Sequence, residues 1–226
     1  MLATLAAAGA QGAAGKAQEA SSPAPRTLSP APSSCERPPA VVANERGVAQ
    51  MVGGDLAKAI ASFDEALNHD PRLEQARLNR GIALLNSRQA ARALADLEAL
   101  ANDQDSLVRA DAAYHLAIAL DRLGRASDAE VWLDRAIKLD NDLDAAVLYA
   151  GLLRERRGDL QGAGRAYLEY LKKHPDSTVA LLRFGVSAQK SGRVDVAKSY
   201  LQRVIALAPP KSAEAVEARK YLVMWE

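Results

Sequence analysis

The chain has 226 residues, 49% of them hydrophobic, 25% charged and only 4% aromatic, the balance of a globular protein whose core is not a sheet rich in aromatic and β-branched side chains. Its 29 basic and 28 acidic residues leave a net charge of +1, which removes the basic excess expected of a nucleic-acid binder. A single cysteine, Cys35, excludes a disulfide within the chain and a cysteine-based metal site, and no stretch reaches the roughly 18 apolar residues that span a bilayer.

Residues 1–39 form a separate arm. Met1 to Gly15 is rich in Ala and Gly, with Leu2 and Leu5 as its large apolar residues, and Ser21 to Pro39 is rich in Pro, Ser and Ala. Each proline removes a backbone donor and pushes its predecessor out of the helical region, so the arm is expected to be disordered. Two readings of its start stand side by side. One is a weak export signal, which lacks a basic n-region because Lys16 is the first positive charge and which places the protein in the periplasm or envelope. The other is a loose tail on a cytoplasmic protein. Cys35 follows no apolar segment and reads as an incidental thiol of the tail.

From residue 40 the chain is periodic. Gly47, Gly81, Ala117, Gly151 and Gly185 are spaced by 34, 36, 34 and 34 residues, and so are Ala59, Ala93, Ala129, Ala163 and Ala197. Gly54, Gly124, Gly158 and Gly192 share the phase, with Arg88 in the missing place; Pro71, Pro175 and Pro209 do too, with Asp105 and Asn141 between them. Such a period marks stacked supersecondary units. The unit 144–177 shows why. Val147, Leu148, Leu152 and Leu153 fall at helical spacing, Gly158-Asp159 ends that helix, Ala163, Ala166, Tyr167, Tyr170 and Leu171 mark a second, and His174-Pro175 stops it. Each unit is therefore a helix, a tight turn and an antiparallel helix. The five units are 40–73, 74–107, 110–143, 144–177 and 178–211. Two extra residues around Asn102 to Ser106 predict a longer helix or a loose turn there. Arg154 stands where an apolar side chain is usual and is expected to pair with a carboxylate. Residues 212–226 read as a capping helix, with Ala215, Val216, Leu222 and Val223 facing the last unit.

The pattern of a small eighth residue, Gly at fifteen, Ala at twenty, a large residue at twenty-four, usually Ala at twenty-seven and Pro at thirty-two resembles the tetratricopeptide repeat family. Unit one carries it fully, with Gly47, Gly54, Ala59, Phe63, Ala66 and Pro71. The resemblance implies an all-α, right-handed solenoid of five helix pairs whose first helices line a peptide-binding groove. Carried over place by place, the groove comprises Asn79, Ile82 and Asn86 of unit two; Tyr114, His115 and Arg122 of unit three; Tyr149 and Arg156 of unit four; and Arg183 and Lys190 of unit five. Asn79 would bond a ligand backbone, and Tyr114 and Tyr149 would give amphipathic contact area. Arg156, Arg183 and Lys190 bias one end toward an acidic segment. The chaperone-tail clamp of the family does not fit: Asn44, Val48, Asp111 and His115 occupy its other places.

No catalytic chemistry is legible. His69, His115 and His174 have no ligand-spaced partners, Gly53-Gly54-Asp55 and Gly162-Ala163-Gly164 lack the neighbours of a phosphate loop, and there is no nucleophile elbow. The expectation is a non-enzymatic scaffold without a cofactor or metal. It would bind an extended or helical segment of another protein, and would reach a membrane only through a partner or the arm. An envelope-tethered assembly protein and the substrate-recruiting subunit of a separate enzyme are the alternatives.

Overall fold

The computed structural model describes residues 37–224, and the readings of the arm before Arg37 and of the last two residues of the expected capping segment 212–226 lie outside them. Eleven helices and no strand occur among the described residues. They run α1 (Pro39–Val52), α2 (Leu56–His69), α3 (Glu74–Asn86), α4 (Ala90–Asn102), α5 (Arg109–Arg122), α6 (Ala126–Leu139), α7 (Asp144–Arg156), α8 (Leu160–Lys173), α9 (Thr178–Lys190), α10 (Val194–Leu207) and α11 (Ala213–Val223). Every helix packs on its neighbours in the chain, and first helices also touch each other, α1 on α3, α3 on α5 and α7 on α9. This is an all-α solenoid of helix pairs.

The repeat places explain the packing. The alanines at the twentieth place, Ala59, Ala93, Ala129, Ala163 and Ala197, and the large residues at the twenty-fourth, Phe63, Leu97, Leu133, Tyr167 and Leu201, are all fully buried. The eighth place lies directly beneath the twenty-fourth. A Cβ on Gly47 would come within 2.5 Å of the Phe63 ring, and one on Gly151 within 2.5 Å of the Tyr167 ring. The large side chain thus lies on bare backbone across the helix pair, which is how the two axes come close.

Between the helices of each pair the chain reverses through a left-handed residue. Gly54, Gly124, Gly158 and Gly192 have φ of 83°, 79°, 84° and 77°, and Arg88 adopts 61° in the same place. The turn geometry holds without glycine: Gln89 N–H donates to the Leu84 carbonyl at 2.8 Å, as Asp55 N–H does to Gln50 at 2.9 Å. Caps start some helices. Asp55 accepts from the Lys58 amide, Asp159 from Gly162 and Ser212 from Ala215, each satisfying a donor the helix itself leaves free.

The two-residue insertion makes a loose turn and not a longer helix. Helix α4 stops at Asn102, and Ser106 Oγ and the Leu107 amide both donate to Glu74 Oε2, at 3.1 and 3.0 Å. Arg154 pairs as expected, with Glu130 at 2.9 Å and Asp134 at 2.8 Å. Of the four residues of the capping helix expected to face the last unit, Ala215 and Leu222 do so and Val216 and Val223 do not. Ala215 and Ala218 are buried, with Tyr221 and Leu222 packed on the same cluster, whereas Val216 and Val223 are 57% and 66% exposed. The buried set Ala215, Ala218 and Leu222 follows the three-and-four helical spacing, and Val216 and Val223 lie off that stripe.

Candidate functional site

The first helices α3, α5, α7 and α9 carry all ten expected groove residues. At the centre, the rings of Tyr114 and Tyr149 meet edge to face with centroids 6.2 Å apart, and the His115 ring lies 4.9 Å from Tyr114. Burial, then the nearby Arg122 charge, pulls His115 down to about 4, so this imidazole is neutral at physiological pH. Burial also raises the Tyr114 phenol. Ile82 packs against the main hydrophobic cluster as a half-buried residue.

Asn79 has its amide engaged within the protein. It is 7% exposed, donates to Asn44 Oδ1 at 3.0 Å and accepts from Gln75 at 3.2 Å. It joins the first helices of units one and two.

The cations form a ladder between units. In units three, four and five the thirteenth residue reaches back to the twelfth of the unit before. Arg122 donates to the Leu85 carbonyl. Arg156 pairs with Asp121 at 2.5 Å, and Lys190 pairs with Glu155 at 3.0 Å. Both carboxylates are shielded, with side-chain exposures of 10% and 8%, and each accepts a phenol as well: Tyr149 donates to Asp121 at 2.5 Å and Tyr167 to Glu155 at 2.9 Å. Burial, reinforced by the Asp121 carboxylate, pushes the Tyr149 hydroxyl up to about 12, and burial with Glu155 raises Tyr167 also. Charge-assisted bonds of this kind are the stronger ones, so the ladder fixes the register of one unit on the next.

Arg183 differs from the ladder cations. Its side chain makes no hydrogen bond or ion pair among the described residues, and with Tyr149, Leu152, Glu155 and Arg156 it lines a pocket of about 230 Å³. The structure thus brings Tyr114, His115, Tyr149, Arg156 and Arg183 together, while Asn86 and Arg122, whose charge still reaches His115, line a separate cleft beside the α3–α4 turn. Asp121 and Glu155 belong to the face and escaped the reading of the sequence. The available signal was an acid at one twelfth place followed 35 residues later by a base.

Among the described residues no group of three or more His, Cys, Asp or Glu is arranged to hold a metal, and no helix is long and apolar enough to cross a membrane. Profiles of the tetratricopeptide repeat family match residues 78–144, 145–177 and 179–210. Solved structures share the fold at low identity. The chain is similar to PilF of Pseudomonas aeruginosa, with 17% identity, a TM-score of 0.71 and coverage of 84% of this chain and 83% of that one. It is similar to YrrB, a tetratricopeptide protein with an unusual peptide-binding site, with 21% identity, a TM-score of 0.62 and coverage of 80% and 92%. It is similar to PilW, a type IV pilus biogenesis factor, with 18% identity, a TM-score of 0.58 and coverage of 81% and 98%. A search of curated protein sequences found no match. The chain belongs to the tetratricopeptide repeat family, whose stacked helix pairs serve as protein-interaction scaffolds.

Proposed function

We propose that this tetratricopeptide repeat protein is a non-enzymatic adaptor that holds a segment of another protein against α5, α7 and α9 within a larger assembly. The observation that carries this reading is the pocket of Tyr149, Leu152, Glu155, Arg156 and Arg183 beside the Tyr114–Tyr149 pair. It joins aromatic area, an apolar floor and one cation without an internal partner. Partly buried aromatics and arginine are the residues that dominate protein interfaces. Because Arg156 and Lys190 are neutralised by Asp121 and Glu155, recognition at this end rests on Arg183 and the tyrosines more than on a general positive field. The peptide-binding site named for YrrB and the biogenesis role named for PilW lend support to binding and to assembly as the two halves of the reading.

Affinity capture with the native chain, Tyr149→Ala and Arg183→Glu tests it. Recovery of the principal partner is expected to fall for both variants. Full recovery with both would reject this face as the site.

A further inference from the structure

A second cleft lies outside the face just described. It opens between the α3–α4 turn and the end of α5, measures about 640 Å³, and is lined by Asn86, Arg88, Gln89, Ala90, Ala91, Arg92, Arg122 and Leu123. Three guanidinium groups line it and no carboxylate does. Elsewhere the arginines of the helix pairs are commonly matched by acids: Arg80 by Asp64 and Asp96, Arg154 by Glu130 and Asp134, Arg156 by Asp121. Here none of the three forms an ion pair among the described residues. Arg122 donates to the Leu85 carbonyl and Arg92 to the Gln89 amide oxygen, neutral acceptors that leave both charges uncompensated. The Arg88 guanidinium makes no hydrogen bond among the described residues; its backbone N–H donates to the Leu85 carbonyl at 3.0 Å.

The repeat shows how the cleft departs from its equivalents. Arg88 holds the left-handed place that glycine holds in the other four units. Gln89 gives α4 no side-chain cap, like Arg125 and Arg193 in the same place of units three and five and unlike Asp55 and Asp159, which cap with a carboxylate. Arg88 adds a positive charge to the rim of the cleft that none of the other four units has there, and it accepts backbone strain to do so.

We propose that this cleft is a carboxylate-recognition site that takes an acidic segment of a partner protein. Planar guanidinium groups match carboxylates in paired hydrogen bonds, and three of them around one concavity suit two or three acidic side chains. Ala90, Ala91 and the exposed Leu123 supply apolar contact between those charges, which a polypeptide with alternating acidic and apolar side chains would use. A volume of this order is that of a ligand site and not of a single small anion. A nucleic-acid backbone is disfavoured because the cations are gathered in one concavity on a chain of net charge +1, without the extended basic surface that tracks phosphates.

Fluorescence anisotropy tests the site with the full chain and a labelled peptide of four glutamates interleaved with leucines. Arg88→Gly and Arg92→Glu are the informative variants, because the first removes a guanidinium while relieving its backbone strain, so lost binding cannot be lost folding. Saturable binding is expected to weaken about tenfold or more in each variant, to survive Arg165→Ala on α8 unchanged, and to exceed that of a labelled oligothymidylate. The assignment would be overturned by no saturable binding of the peptide by the native chain, by affinities of Arg88→Gly and Arg92→Glu equal to that of the native chain, or by tighter binding of the oligothymidylate. Loss in Arg183→Ala alone would place the peptide in the pocket at Tyr149 and also refute the cleft.

Discussion

A single methyl group added at Gly151 probes the packing on which the solenoid depends. Its carbon would sit 2.5 Å from Tyr167 Cε1, 2.8 Å from Cδ1 and 3.1 Å from Cζ. Carbon atoms pack best at about 3.5–4.0 Å, so the ring must retreat by about 1 Å. It has nowhere to go: Tyr167 is fully buried and its hydroxyl is held by Glu155 at 2.9 Å. Overpacking of this kind costs about 1–3 kcal/mol, while alanine gains about 1 kcal/mol over glycine in helix propensity. Gly185→Ala is the internal control. The methyl would meet Leu201 Cγ at 2.9 Å and Cδ2 at 3.0 Å, part of a side chain that can change rotamer. The third unit already combines Ala117 at this place with Leu133 opposite, both fully buried. The propensity gain is common to both variants, so their difference isolates the overpacking: Gly151→Ala is expected to be less stable than Gly185→Ala by about 1–3 kcal/mol. In thermal unfolding followed by circular dichroism this separates the midpoints by about 2–4 °C per kcal/mol. Adding Tyr167→Leu to Gly151→Ala recreates the third-unit pairing and should recover most of the loss. Equal midpoints for the two single variants would refute the claim that the twenty-fourth residue is seated on the eighth.

Three further outcomes are expected. Ala163→Leu adds volume at a fully buried crossing and should lower stability by about 1–3 kcal/mol in urea unfolding; an unchanged midpoint would show that the crossing lies elsewhere. His115 has a folded pKa of about 4 against 6.5 unfolded, so as pH falls the unfolded chain takes up the proton first. Its contribution is therefore intact above pH 6.5 and is lost between 6.5 and 4, by at most about 1.4 kcal/mol per pH unit; His115→Gln should flatten that part of the stability–pH curve. Arg88→Gly removes a left-handed non-glycine residue at φ 61°, a relief of about 1–2 kcal/mol partly offset by the greater chain entropy of glycine, about 0.5–1 kcal/mol. A net gain of about 0.5–1 kcal/mol should appear as a raised midpoint.

The architecture was open to reading from the chain because its determinants are local and repeated. A bare residue at Gly47, Gly151 and Gly185, facing Phe63, Tyr167 and Leu201, needs only the period to be found. The pairing of Arg154 was likewise inferable, since a cation at an apolar place needs a carboxylate. The electrostatics of the binding face were less accessible. Arg156 and Lys190 resemble free groove cations until Asp121 and Glu155 of the preceding unit are brought beside them, and Asn79 resembles a free amide until Asn44 arrives. These partners lie one unit away, where helix periodicity within a unit carries no information. Val216 and Val223 were turned the wrong way because α11 stands outside the period and has no equivalent from which to copy its buried face. Arg88 was visible as a break in the glycine series, but its meeting with Arg92 and Arg122 at one cleft depends on how unit three stacks on unit two.

Site-specific photo-crosslinking in cells tests the central claim most directly. A benzophenone amino acid would replace Arg183 on the first-helix face and, in a separate variant, exposed Arg165 on α8. A first-helix binding face predicts covalent capture of one partner from position 183 and little from 165. Capture from 165 equal to or greater than that from 183 would contradict it.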